Sequence, residues 1–141
     1  MGNKRAFTMA TVLGITAVIL TLWVTPAFAQ SREMQVSVPF QFYAGGKLMP
    51  AGLYFVRPMD TGGSILRVFD NGGHTALLLT VPTGNKLGSS RWVFTRYGEL
   101  SFLSELHWRG YDAGREIAKS ALELEARNTS AAIRVAINPQ R

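Results

Sequence analysis

Apolar and polar side chains alternate from residue 34 to residue 43, with the apolar ones at the even-numbered positions. A period of two buries one face of a β-strand and leaves the other in water, so the pattern predicts a strand over this range. Pro39 cannot donate a ladder hydrogen bond. We therefore expect the strand to lie at a sheet edge or to carry a bulge at that position.

Turn chemistry divides the next part of the chain into further short strands. Gly45 and Gly46 predict a turn because glycine takes a positive φ angle freely, and Asn71-Gly72 between apolar runs is a strong hairpin signal. The pattern predicts strands at residues 48–51, 53–58, 64–69, 74–81, 91–97 and 100–108. Residues 76–79 are apolar on both faces, so their strand is expected at the centre of the sheet. In the strand 100–108, alternation groups Leu100, Phe102, Leu106 and Trp108 on one face, opposite Ser101, Leu103, Glu105 and His107.

The pattern changes after residue 114. Residues 115–128 are rich in Ala, Leu, Glu and Lys and place Ile117, Ala121 and Leu124 on one helical face, so they predict an amphipathic helix. Residues 132–138 predict a last strand. Many short strands separated by turns indicate an all-β fold, either a mainly antiparallel sandwich or a small barrel, with one C-terminal helix.

The first 29 residues have the composition of a secretory signal peptide. Lys4 and Arg5 supply positive charge, residues 12–24 form an apolar run, and Ala27-Phe28-Ala29 fits the small-x-small cleavage pattern. The run is shorter than the ~20 residues of a spanning helix, which favours cleavage over a permanent anchor. We expect a secreted mature chain that begins at Gln30, forms one domain over residues 30–141 and does not span a membrane.

Export without any cysteine indicates a bacterial periplasm or envelope, because small extracellular domains of animal type usually rely on disulfides. Loss of residues 1–29 removes Lys4 and Arg5 and lowers the net charge from +6 to +4. The remaining cations are scattered, whereas a nucleic-acid site needs a basic stripe, so no nucleic-acid partner is expected. Trp92 and Phe94 lie between arginines, but their alternation makes them core residues in the simpler interpretation.

A set of short motifs occurs in the same order in a known group of proteins: Pro39-Phe40-Gln41-Phe42, Gly45-Gly46-Lys47, Met49-Pro50-Ala51-Gly52-Leu53-Tyr54, Phe94-Thr95-Arg96-Tyr97-Gly98, Phe102-Leu103-Ser104-Glu105, Gly114-Arg115-Glu116 and Lys119-Ser120. Through these motifs the chain resembles the small secreted proteins of unknown function that are numerous in predicted acidobacterial proteomes. The resemblance covers nearly all of residues 30–141. It implies a secreted β domain from an acidobacterium-like source and supplies no catalytic residue.

Glu105 and His107 form the one pair that suggests chemistry, since both lie on the same face of a predicted strand. An acid/base pair or half of a metal site is conceivable there, with Glu99 as a further carboxylate and His74 as a second imidazole. Ser101, Ser104 and Ser120 lack the G-x-S-x-G turn of a nucleophile. Residues 84–90 lack the lysine that a phosphate-binding loop carries after its second glycine. We therefore predict no catalytic, cofactor-binding or metal residue.

The leading hypothesis is a non-catalytic binding or structural module of the bacterial envelope, with a glycan, a lipid or a protein as partner. Its ligand surface is expected at residues 82–90 and at the turns 60–63 and 71–73, while Phe40, Phe42, Tyr54 and Phe55 build the core. One alternative is a hydrolase or metal-dependent enzyme that uses Glu105 and His107. Another is a small lipocalin-like carrier, which requires an unfilled interior.

Overall fold

Ten strands and one helix make up the part of the chain that the computed structural model describes, residues 33–86, 89–108 and 113–139. The strands are β1 Met34–Val38, β2 Phe42–Ala44, β3 Lys47–Met49, β4 Gly52–Pro58, β5 Ile65–Phe69, β6 Thr75–Lys86, β7 Arg91–Tyr97, β8 Leu100–His107, β9 Ala113–Ile117 and β10 Ala132–Ile137. The helix, α1, is Ala121–Thr129. The predicted signal peptide lies outside the described residues.

Strand β6 joins two parts of one hydrogen-bonded network. Its first half pairs antiparallel with β5, and its second half pairs antiparallel with β9. The first part has the order β1-β4-β5-β6, and the second continues as β6-β9-β8-β7-β10. The hairpin β2-β3 joins β8 through a parallel bridge between Tyr43 and Phe102. The predicted mainly antiparallel all-β class with one C-terminal helix is therefore confirmed.

One hydrophobic core takes side chains from both parts of the network. Val36, Tyr54, Leu66 and Leu78 come from the first part, and Trp92, Phe94, Leu103 and Leu106 come from the second. Phe42 lies edge-on to Tyr54 and to Phe94, with ring centroids 5.1 Å and 5.3 Å apart. Edge-to-face packing adds to the stabilisation that burial of these rings already provides. The prediction that Trp92 and Phe94 fill the core is confirmed.

The hairpin region around Gly45 and Pro50 belongs to the scaffold. Gly45 has a φ angle of +57°, and a Cβ there would lie 2.8 Å from the carbonyl oxygen of Leu77, so only glycine fits. Burial, followed by the charge of Asp70, raises the pKa of Tyr54 to about 12. The protonated hydroxyl donates a 2.6 Å hydrogen bond to the Pro50 carbonyl and closes the corner.

Two strand boundaries differ from the prediction. The strand predicted over residues 34–43 ends at Val38 and resumes at Phe42, because Pro39 interrupts the ladder. Within the described residues β1 pairs only with β4, so the expected edge position is confirmed. The strand predicted over residues 74–81 continues to Lys86, because residues 82–86 lie beside β9 through a register shift. Residues 87–88, within the expected ligand surface at 82–90, lie outside the described residues.

The face assignment in β8 is wrong beyond Leu103. Val93 pairs with Glu105 while Phe94 pairs with Leu103, so Ser104 is an extra residue in β8. A bulge of this kind shifts the alternation by one position. Leu103 therefore joins the main core, whereas Phe102 packs with Tyr97 in a second cluster beneath α1.

The predicted helix over residues 115–128 is too long at its N-terminal end. Residues up to Ile117 form β9, which pairs with β6 and β8, and Ser120 is the N-cap of α1. Tertiary pairing overrides the high helix propensity of this segment. The predicted apolar face is also wrong, because α1 buries Glu123 and Ala126 and leaves Leu124 exposed. The last strand, predicted at 132–138, is confirmed as β10.

Adjacent leucines of β6 provide a direct test of this architecture. Leu78 is fully buried, whereas Leu79 is 67% exposed. We expect Leu78→Ala to lower the free energy of unfolding by about 2–5 kcal/mol, because it removes buried methyl groups and leaves a cavity. Leu79→Ala, the matched control, should change it by less than about 0.5 kcal/mol. Urea denaturation of both variants measures the difference, and equal losses would contradict the assigned register.

Candidate functional site

Glu105 and His107 lie side by side on the outer face of β8, the face turned away from the hydrophobic core. His107 Nε2 donates to Glu105 Oε2 at 3.0 Å, and the Arg134 guanidinium of β10 binds Glu105 Oε1. Burial alone would raise the pKa of Glu105, but the His107 hydrogen bond and the hydrogen bond and charge of Arg134 outweigh it and lower the pKa. The ionised carboxylate thus ties β8 to β10.

The imidazole of His107 is enclosed by packing. It is 1% exposed, and a Cβ on Gly114 of β9 would lie 2.4 Å from its Cε1 atom, so β9 can pass over the ring only with glycine at this position. His107 Nδ1 and Thr83 Oγ1 are buried and have no hydrogen-bond partner within the described structure. Since a substrate has no access to the ring in this arrangement, the geometry favours a structural role.

The other predicted acid/base groups lie elsewhere. His74 pairs with Asp70 in the turn between β5 and β6, at 2.7 Å. Glu99 lies in the turn between β7 and β8, at the opposite end of β8 from His107. In residues 33–86, 89–108 and 113–139, no group of three His, Asp or Glu side chains is placed to hold a metal ion.

The three candidate serines each stabilise local structure. Ser101 Oγ accepts a hydrogen bond from Arg96 Nε at 3.1 Å, and Ser104 Oγ donates to Thr95 Oγ1 at 2.6 Å, across the bulge. Ser120 Oγ accepts from the backbone N–H of Glu123 at 3.2 Å as the N-cap of α1. None of the three has an imidazole as a hydrogen-bond partner in these contacts.

The turns that were expected to bind a ligand use their carboxylates internally. Asp60 accepts from the backbone N–H groups of Ile65 and Ser64, at 2.9 Å and 3.1 Å, and these bonds lower its pKa. Asp70 accepts from the backbone of Gly72 and His74 in the same manner. Both carboxylates therefore act as turn-closing groups.

An uncovered apolar surface lies on the outer face of β5 and β6 and includes Met59, just beyond the end of β4. Its members share an outward side chain and a large exposed fraction: Met59 54%, Ile65 39%, Leu77 64%, Leu79 67% and Val81 59%. We call these five residues the outer apolar patch. Ile65 is directly opposite Leu79, and the N–H of Met59 donates to the Ile65 carbonyl at 2.9 Å, so these three residues are neighbours in one row. Contiguous exposed apolar surface of this kind commonly marks an interaction site.

Charged side chains border the outer apolar patch on both sides. Arg67 is opposite Leu77, and Arg57 is opposite Arg67. On the other side Glu116 is opposite Val81, and Lys119 lies 3.4 Å from the Glu116 carboxylate. Leu79, Val81, Glu116 and Lys119 also line a depression of about 330 Å³ together with Thr80, Ile117 and Ala118.

Helix α1 covers the equivalent outer face of β7 and β8. Ala126 packs on Tyr97 and Phe102, with Tyr43 and Leu100 at the margin. The outer apolar patch, by contrast, has no such cover among the described residues. Sequence reasoning missed the patch because apolar residues at successive positions of β6 were taken as a sign of burial on both faces. The signal that could have revealed it is that only α1 was predicted, so one helix was available to cover the sheet.

Besides the outer apolar patch, Glu123 is a feature that the sequence analysis did not single out. It is 4% exposed, and its Oε1 atom is buried with no hydrogen-bond partner within the described structure. Burial raises its pKa, and Glu116 adds to this effect, whereas Lys119 and Arg127 oppose it. The spacing Ser120-x-x-Glu123 of a capping box could have drawn attention to this carboxyl group.

Comparisons of the chain with protein families, with curated proteins and with solved structures find no match. The described residues contain no helix that is both long enough and apolar enough to cross a membrane. The site must therefore be interpreted from its own geometry.

The buried Glu123 carboxyl predicts a pH-dependent stability. At a pH below the ordinary pKa of Glu123, this group is protonated in both the folded and the unfolded states. Its burial then costs no ionisation free energy, and the free energy of unfolding is at its highest with respect to this group. As the pH rises, the unfolded chain loses this proton first, so stability falls until the raised folded pKa is passed. We expect Glu123→Gln to be more stable than wild type at pH 7.5 and to approach it at pH 4. Urea denaturation across this range measures the difference.

The exposed Glu125 of the same helix supplies the control for this prediction. Glu125→Gln should change the free energy of unfolding by less than about 0.5 kcal/mol over the same pH range. A Glu123→Gln variant that is less stable than wild type at pH 7.5 would contradict the assignment of a carboxyl group whose pKa is raised by burial.

Proposed function

We propose that this chain is an exported, non-catalytic binding module of the bacterial envelope and that it binds its partner through the outer apolar patch. The observation that carries this proposal is the exposure of Leu77, Leu79 and Val81, each more than half exposed on a strand that has neighbours on both sides. Outward positions on such a strand are usually polar when they face only water. Keeping three of them apolar fits a surface that a partner covers.

The proposed location rests on the sequence. Residues 1–29 have the charge, apolar run and cleavage pattern of a secretory signal, and the chain has no cysteine. A bacterial periplasm or outer surface fits both properties. The resemblance to secreted acidobacterial proteins agrees with this location and stays a prediction.

The two alternatives gain no specific support. An enzyme that uses Glu105 and His107 needs a substrate to reach the imidazole, and His107 is enclosed beneath Gly114. A lipocalin-like carrier needs an unfilled interior, and the core of the described residues holds closely packed rings of Phe42, Tyr54 and Phe94. A binding surface on the outside of the sheet is compatible with both observations.

Photo-crosslinking in living cells tests the proposal without knowledge of the partner. A photoreactive phenylalanine derivative replaces Leu79 in one strain and Ile133 of β10 in the control strain, because Ile133 is similarly exposed, at 62%. We expect irradiation to produce crosslinked species, to lipid or to protein, only from position 79. Equal yields from the two positions, or none from position 79, would contradict the proposed surface.

A further inference from the structure

The outer apolar patch is broad and lies across neighbouring strands. Ile65 of β5 and Leu79 of β6 form a row with Met59, which lies just beyond the end of β4. Leu77 lies on one side of this row and Val81 on the other. A side-by-side row presents apolar groups to one broad partner, whereas a single chain segment would need a groove. A bilayer surface is a broad partner of this kind, and the affinity for it grows with the buried apolar area.

The charges at the border of the patch fit an anionic surface. Arg67 donates its Nε–H to Thr75 Oγ1 and lies 5.0 Å from the centre of the Phe69 ring, with no carboxylate partner within the described residues. Arg57 pairs with Glu33, and Lys119 pairs with Glu116, in contacts that are exposed to solvent. Exposed ion pairs of this kind contribute little to stability, so either cation can instead interact with another anion. Cations therefore lie on both sides of the apolar row, and their charge is complementary to that of anionic phosphate headgroups.

We propose that the outer apolar patch docks on the surface of a bilayer that contains anionic phospholipid. This inference rests on the proposed function and names the partner of the same surface. Leu77, Leu79, Val81, Ile65 and Met59 enter the interfacial layer, and Arg57, Arg67 and Lys119 contact phosphates. A second copy of this chain is the competing occupant, and the experiment distinguishes the two.

Vesicle flotation tests the inference with the processed protein recovered from the exported fraction of expressing cells. Intact mass first establishes that all variants share one N-terminus, so that the signal peptide contributes equally or not at all. The vesicles contain phosphatidylethanolamine and phosphatidylglycerol in one series and phosphatidylcholine alone in the other. The patch variant is Leu77→Thr/Leu79→Thr/Val81→Thr, because threonine keeps the strand propensity, and Ile133→Thr is the matched control. Near-ultraviolet circular dichroism verifies that each variant is folded.

We expect wild type to float with the anionic vesicles and to bind the neutral vesicles more weakly. The patch variant should lose at least about tenfold in partition coefficient on anionic vesicles, whereas Ile133→Thr should stay within about twofold. Arg67→Gln should lose about fivefold on anionic vesicles only, as expected for one cation near an anionic surface. Wild type that does not float, or a folded patch variant that floats equally well, would overturn the inference.

If the protein does not bind vesicles, sedimentation equilibrium determines whether only the bilayer inference fails or the proposed binding function fails as well. A concentration-dependent oligomer that the patch variant abolishes, without vesicle binding, would replace the bilayer by a second copy and leave the binding surface in place. Absence of vesicle binding, of an oligomer and of crosslinks from position 79 would overturn both proposals.

Discussion

Among the described residues, strand β6 is the element that joins both parts of the sheet, and its hydrogen bonds determine which of its side chains face outward. Ala76, Leu78 and Thr80 point into the protein, and Thr80 Oγ1 also donates to the Gly63 carbonyl at 2.7 Å. Because side chains alternate with a period of two, Leu77, Leu79 and Val81 must point away. A slip by one residue would exchange the two sets, and pairing with both β5 and β9 prevents it. The exposed apolar surface is thus a direct consequence of the register that builds the core.

The outer face of the sheet is covered in one region and uncovered in another. Over β7 and β8, α1 covers Tyr97 and Phe102, and this arrangement places the Glu123 carboxyl in a buried position. Over β4, β5 and β6 the described chain provides no cover. The Glu105 carboxylate of β8 accepts hydrogen bonds from His107 and Arg134. The polar groups that first suggest catalysis therefore hold strands together, and the part of the surface that is left open is apolar. This contrast is the basis of our proposal that the protein acts through the contact area of the outer apolar patch.

Much of the fold follows from local sequence signals, and the exceptions have identifiable physical causes. Gly45-Gly46, Asn71-Gly72 and Pro39 act through their own backbone preferences, so the turns and the edge strand were predictable. Ser104 carries no local sign of a bulge, because the extra residue is defined only by pairing with β7. Arg115, Glu116 and Ile117 have helical composition but pair as β9, since long-range hydrogen bonds outweigh propensity. The outer apolar patch depends on what lies above β6, which alternation within one strand does not reveal.

The absence of cysteine from the chain allows the central claim to be measured directly. Single cysteines at position 78 or 79 would be labelled with a maleimide reagent under native conditions, with and without vesicles of phosphatidylethanolamine and phosphatidylglycerol. The account predicts that the cysteine at 79 reacts rapidly, that the one at 78 reacts only on unfolding, and that the vesicles protect position 79. Similar reaction rates at both positions without vesicles would contradict the outward orientation of Leu79, and unchanged labelling at 79 with vesicles would contradict its role in membrane contact.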